Sequence, residues 1–239
     1  MFLIPGNGIS AHGLLSRVSV IDQTKKSCCD RCGACCLQGG PALHREDLAL
    51  LREGHLSLAD LVTIRKGELA YQPLADTPTL VTKEFLKVSG RQGSWTCHFY
   101  DEPGRACTIY DHRPVACGLF DCTAPEPILQ ITGRNLLTRF DCAGKEDPLA
   151  QAAREHEQRC PCPDLAELTK RLRVSGERKL LLADLSPLVN ADLAFRRAIA
   201  QTTQLSLAEE LFWFGRPLFQ LLLPLGIQVR ETTSGLLLS

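Results

Sequence analysis

The sequence predicts an α+β protein in which a small, irregular cysteine-cluster domain with short strands, stabilised by metal, precedes a mostly helical C-terminal region. Three observations predict it. All twelve cysteines lie at or before Cys162. The stretch up to about Cys142 is rich in Gly, Pro and short β-prone runs, which suits short strands and loops gathered around ligands. Beyond Ala143-Gly144-Lys145-Glu146-Asp147-Pro148, which reads as a linker, apolar residues recur at helical spacing. The expected division is residues 1–145 for the cysteine-cluster domain and 146–239 for the helical region.

In chain order, helices are expected near His44–Arg52 and Ser57–Arg65, and strand-like runs at Glu84-Phe85-Leu86-Lys87-Val88 and Cys107-Thr108-Ile109-Tyr110. Asp164-Leu165-Ala166-Glu167 has the form of an N-cap with an acidic residue three positions on, and Leu165, Leu168 and Leu172 follow on one face. Ser186-Pro187 can start a further helix with Leu188, Ala191, Phe195 and Ile199 at helical spacing, because proline suits a first helical turn. Ser206-Leu207-Ala208-Glu209 repeats the capping signature, and Gly215 is a plausible stop. These C-terminal residues pack and carry no evident chemistry.

Composition narrows the function. Lys+Arg and Asp+Glu are equal at 27 each and no run of five like charges occurs, which argues against a nucleic-acid or anionic-membrane binder. At 239 residues and 44% hydrophobic, the chain can bury a core without disulfides. The opening Met1-Phe2-Leu3-Ile4-Pro5-Gly6 has no basic leader and breaks after three apolar residues, so a cytoplasmic location is expected. The apolar tract from Leu211 to Val229 carries Arg216, Pro217, Gln220 and Pro224, and its cleanest stretch falls short of the roughly 20 residues a bilayer span needs. It reads as buried core, with no membrane partner. Twelve cysteines in a reducing cytosol point to metal or redox chemistry before disulfides.

The cysteines concentrate between Cys28 and Cys36, where five fall within nine residues. Cys29-x2-Cys32 has the geometry of a metal knuckle, since two intervening residues let both sulfurs face one ion at about 2.3 Å, and Gly33 lets the backbone turn back toward them. Cys35 extends the series to the first three ligands of a bacterial ferredoxin run. Cys36 is adjacent to Cys35, and neighbours rarely both reach one ion, so it suits a second ion or a bridging sulfur. Downstream, Cys97, Cys107, Cys117 and Cys122 can complete two four-ligand sites or one multinuclear site. A tetrathiolate zinc or an oxidised four-iron cluster carries a charge of about −2 by simple counting, so nearby cations are wanted, and Arg31 and Arg113 are placed in sequence to supply it.

Other residues have weaker assignments. Cys28, Cys142, Cys160 and Cys162 are either a further centre or unliganded. His44, His98 and His112 are expected around the ligands or on the surface, since thiolates already suffice. Cys28-x3-Cys32-x2-Cys35 also has the spacing of a radical S-adenosylmethionine cluster. The alternating strand–helix succession of a partial α/β barrel is missing.

Cys29-x2-Cys32-x2-Cys35-Cys36, then Cys97, then Cys107-Thr108-Ile109-Tyr110-Asp111-His112-Arg113-Pro114-Val115-Ala116-Cys117, resembles the CxxCxxCC cysteine-cluster family (YkgJ type), described as zinc- or iron-chelating proteins. The resemblance covers roughly residues 28 to 122. It implies a chelating role for Cys29, Cys32, Cys35, Cys36, Cys97, Cys107 and Cys117, to which local spacing adds Cys122. The expected function is therefore a metal-binding protein holding zinc or an iron–sulfur cluster, for electron transfer, metal handling or structure. Some relatives are flagellin lysine N-methylases, which implies an enzymatic alternative, although no Gly-rich strand-to-helix turn for a methyl donor is recognisable. A third reading is a structural-zinc adaptor that meets a protein partner through the helical region.

Overall fold

The computed structural model describes residues 32–91, 94–144, 146–174, 176–233 and 235–239. Among the described residues there are ten α-helices and eight short strands, and the strands pair as four separate two-stranded antiparallel sheets, so the α+β class holds. The first part of the chain runs α1 (Ala34–Leu37), α2 (Leu48–Arg52), β1 (Leu61–Ile64), β2 (Leu69–Ala70), β3 (Thr79–Leu80), β4 (Phe85–Val88), β5 (Tyr100–Asp101), β6 (Ala106–Cys107), α3 (Val115–Leu119), α4 (Glu126–Ile131) and α5 (Arg139–Cys142). The second part runs α6 (Pro148–Arg159), α7 (Leu165–Arg171), α8 (Glu177–Thr203), α9 (Leu207–Phe214), α10 (Leu218–Leu222), β7 (Val229–Thr232) and β8 (Gly235–Leu238). Among the described residues, no helix is long and apolar enough to cross a membrane.

The sheet that organises the first part pairs β1 with β4, from Leu61 opposite Val88 to Ile64 opposite Phe85, and all eight residues are buried. Along the other edge of β4 runs the chain at 41–43: Val88 N–H donates to Pro41 O and Leu43 N–H to Leu86 O, each at 2.9 Å. Side chains alternate across a strand, so Leu86 and Val88 join the largest apolar cluster with Leu43 and Leu61, and Phe85 joins a smaller one with Ala42, Val62 and Ile64. The largest cluster also takes in Ala150, Ala153, Phe195 and Phe212 to Phe214 from the helices. Burying such an aromatic side chain is worth about 1.5–3 kcal/mol, and α9 presents three in succession.

Three local expectations are overturned. Ser57–Arg65 is not a helix. Leu58–Asp60 makes a single 3-10 turn, capped by Ser57 and Asp60, and the chain then extends into β1. Val62, Thr63 and Ile64 are β-branched, lose side-chain freedom in a helix and pack well on a pleated surface, and their partner strand supplies that surface. The run Cys107–Tyr110 is strand only at its first residue, because Tyr110–His112 turns as a 3-10 helix ahead of Pro114.

Ser186-Pro187 does not begin a helix, since Pro187 lies inside the 27-residue α8. Proline inside a helix is unfavourable by about 3 kcal/mol or more. Against that, Leu181, Leu185 and Val189 continue one buried face through it into the cluster formed with α7, α10 and β8. Ser186 Oγ donates to Leu182 O at 2.7 Å and Asn190 Nδ2 to Ser186 O at 2.8 Å, which satisfies carbonyls around the proline.

The cap signals were sound. Asp164 accepts from Glu167 N–H at 2.8 Å, Ser206 and Glu209 exchange both capping-box bonds, and Gly215 ends α9 at φ 65°. At the linker, Asp147 caps α6 by accepting from Leu149 N–H at 2.8 Å.

Candidate metal centre

Short segments bring the central cysteines together. Gly33 has φ +78°, the left-handed region that glycine enters freely, and a Cβ there would collide with the Tyr100 hydroxyl. From this turn α1 carries Cys35 and Cys36. Cys36 O accepts from Cys97 N–H at 2.8 Å, which ties α1 to the stretch before β5. Tyr100 is opposite Cys107 in the β5–β6 pair. Cys117 sits on α3, and the start of that helix is fastened by Asp47: one carboxylate oxygen accepts from Val115 N–H and the other from His44 N–H, both at 2.8 Å.

The thiols sense one another's charge. A hydrogen bond from Cys36 holds the Cys35 thiol down to about 6, and the same bond, with burial and the charges of Cys35, Cys97 and Cys117, pushes Cys36 far up. Burial raises Cys97, with Cys107 and Cys35 adding to it and Lys87 opposing it. Burial also raises Cys117, reinforced by Cys97, Cys35 and Cys107. Cys35 is thus favoured as a thiolate, whereas Cys36, Cys97 and Cys117 resist ionising beside it. A bound cation would supply what is lacking, because thiolate is the form that binds metal. Among the described residues no three or more Cys, His, Asp or Glu side chains are gathered closely enough to enclose an ion, so these sulfurs are neighbours rather than a closed cage. The donor set is sulfur only, which suits zinc or iron–sulfur and not calcium or magnesium.

Lys87 lies within electrostatic reach of this group. Its side chain is almost completely buried, and Nζ donates to Gly40 O. Burial lowers its pKa to about 8, while Cys97 and Cys117 pull it back up and Arg216 pulls it down.

The remaining sequence-derived residues divide clearly. Cys29, with Cys28 and Arg31, lies outside the described residues. Cys32 is exposed, and its carbonyl accepts from Arg105 Nη2 at 3.3 Å. Cys122 is exposed beyond the end of α3. Arg113 stacks over the Tyr110 ring at 3.7 Å. His98 lies 3.4 Å from Asp60, His112 stacks on His55 at 3.5 Å, and His44 is buried with Nε2 3.3 Å from Ile131 O. Cys142 bonds to Thr138 O at 3.6 Å, and burial pushes it up to about 12. It packs against the largest cluster with Cys160, whereas Cys162 packs in the helical one.

Two residues escaped the sequence reading. Asp47 resembles any acidic residue at the start of a helix until Val115 is seen on its far side. Lys87 interrupts an apolar run, and a lysine at alternate spacing in a strand ordinarily faces solvent.

A family model described as "CxxCxxCC: Putative zinc- or iron-chelating domain" matches residues 28–160, more than half of the 239-residue chain. No curated protein and no solved structure matches the chain.

Proposed function

From the premise that this chain belongs to the CxxCxxCC family of zinc- or iron-chelating domains, we propose that Cys29, Cys32, Cys35, Cys36, Cys97, Cys107, Cys117 and Cys122 hold zinc or an iron–sulfur cluster in an all-thiolate centre. The observation that carries this reading is the convergence of four separate segments, in which the Cys36–Cys97 backbone bond, the β5–β6 pair and the Asp47-fastened α3 bring Cys35, Cys36, Cys97, Cys107 and Cys117 within electrostatic reach of one another. No apolar core requires five such thiols at one place. When bound, the metal supplies positive charge that keeps the thiolates ionised. The protein's own contribution is placement: Gly33 turns α1, the Cys36–Cys97 bond fixes one edge, and Asp47 sets α3.

Because the proposed ligands come from separate segments, metal binding is expected to draw them together and to stabilise the cysteine region. The centre serves metal handling, electron transfer or structure, in a reducing cytoplasm.

Elemental analysis and absorption spectroscopy on anaerobically purified protein test the proposal. Zinc with no visible absorption, or iron with charge-transfer bands, is expected, and Cys36→Ser should lower the content or change the spectrum. Protein that carries neither metal, and whose thiols all titrate in the native state, overturns it.

A further inference from the structure

The β7–β8 hairpin packs against α8 and leaves one edge of β8 open. Gln228 and Ser239 exchange both main-chain bonds, at 2.8 and 3.0 Å, and beyond them Val229 stands opposite Leu238, Arg230 opposite Leu237 and Glu231 opposite Leu236. Bonded and unbonded positions alternate in an antiparallel pair, so the main-chain N–H and C=O of Leu236 and Leu238 point away from β7. At Leu236 one side chain satisfies both: Asn190 Oδ1 accepts from the N–H at 2.8 Å, and Asn190 Nδ2 donates to the carbonyl at 2.9 Å. The Asn190 amide stands where a neighbouring strand would run. Gly235 admits it, since a Cβ there would collide with Asn190 Oδ1.

Two residues on, Leu238 repeats the geometry without the partner. It is 6% exposed, and among the described residues nothing meets its outward N–H or C=O. Buried main-chain groups are rarely left unpaired. Beside Leu238, α8 and β8 enclose a groove of about 510 Å³ walled by Lys179, Leu182, Ala183 and Leu237, with Arg178 also on its wall. That volume lies within the range of about 300–1,000 Å³ typical of ligand sites. Leu182 lies eight residues before Asn190 on α8, and residues at this spacing share a helix face, so the groove continues the line that Asn190 begins. Its charge has one sign. Arg178 donates to the carbonyls of Gly226 and Ser239, Lys179 is exposed, and no carboxylate lines the groove.

We propose that this groove takes an extended, apolar and acidic segment of a partner protein, which adds to β8 as a further strand. The segment's main chain bonds to Leu238, its apolar side chains lie against Leu182, Ala183 and Leu237, and a carboxylate meets Lys179. In strand addition the main-chain bonds supply affinity and the side-chain contacts supply specificity. The inference is independent of the metal reading, and it gives the protein partner expected of the helical region a place and a chemistry.

A fluorescein-labelled, end-capped hexapeptide that alternates valine with glutamate is titrated with the full chain and read by fluorescence anisotropy. Saturable binding is expected. It should be lost when alternate amides are N-methylated, because pairing to Leu238 then fails, and weakened about tenfold or more when lysine replaces glutamate. Lys179→Glu should weaken the glutamate peptide and strengthen the lysine one. Ala183→Trp, whose indole fills the groove, should abolish binding. Both positions are exposed, and an unchanged melting temperature shows that each variant is folded. Should a variant fail to fold, the N-methylated and lysine peptides decide on the parent chain alone. No saturable binding of the glutamate peptide up to about 1 mM, or binding that survives N-methylation or Ala183→Trp, overturns the proposal. So does sedimentation that shows a dimer of the free chain dissociated by Ala183→Trp, since the groove would then hold a second copy.

Discussion

In the helical region Asp192 is fully buried, and so are its partners. His156 Nε2 lies 2.6 Å from Oδ1, Arg196 Nε donates to Oδ1 at 2.9 Å, and Leu218 N–H donates to Oδ2 at 2.9 Å, while Arg196 continues to Glu210 at 3.0 Å and to the carbonyls of Phe214 and Gly215. In the cysteine region Lys87 is comparably buried but, among the described residues, its ammonium meets the Gly40 carbonyl and no carboxylate, and Cys36 and Cys117 resist ionising. Buried charge in one region is compensated by the fold, and in the other, on the proposed reading, by a bound cation. The difference teaches where metal should matter: stability of the cysteine region depends on it, and stability of the network around Asp192 does not.

The largest effect that can break this comparison is loss of the compensated network. Asp192→Ala takes the buried acceptor from His156 and Leu218 N–H and leaves Arg196 with Glu210 as its one carboxylate, and breaking a buried pair typically lowers stability by about 3–5 kcal/mol. Urea unfolding should show that loss equally with and without chelator. A loss that vanishes in the metal-free protein means the regions are not separable in this way.

Gly33→Ala acts on the other side. The left-handed backbone disfavours a side chain by about 1–2 kcal/mol, and the new Cβ must displace Tyr100. Metal content after gel filtration should fall, while hydrogen exchange in α8 stays as protected as in the parent. Retention of full metal content would show that the α1 turn does not place the thiols.

Ser206→Ala removes one cap bond from an exposed helix start and should lower stability by about 1 kcal/mol with zinc affinity unchanged. Any change in affinity would reveal coupling between α9 and the centre.

A shift from pH 7 to pH 6 gives the smallest and most gradual change. Burial holds the His156 pKa below its ordinary value despite the opposing bond to Asp192. The unfolded chain takes up a proton near pH 6.5 that folded His156 refuses, so it binds more protons than the native state, and stability falls as pH falls through that value. Urea midpoints should decline across this step in the parent and decline less in His156→Gln. Asp192 and Glu157, held low by His156 and by Arg65 respectively against the effect of burial, add stability above the unfolded carboxylate range, and it is lost only at more acid pH.

What was legible in the sequence follows the range of the interactions. The capping boxes at Ser206 and the N-cap at Asp164 are satisfied within three residues, so local pattern sufficed. Ser57–Arg65 was misread because its strand partner lies more than twenty residues away, and Pro187 because the apolar face that carries α8 through it is completed by α7, α10 and β8. The cysteines were conspicuous as a motif, and their spacing suggested several ligand sets. Which of them share a neighbourhood depends on the Cys36–Cys97 bond and the Asp47 clamp, both long-range. Lys87 was invisible for the same reason, since its burial is decided by strands on either side of it.

X-ray absorption at the zinc or iron edge of the anaerobically prepared protein examines the metal's immediate neighbours directly. The predicted result is a first shell of sulfur alone at about 2.3 Å. A first shell dominated by nitrogen or oxygen, or no bound metal at all, would contradict the account.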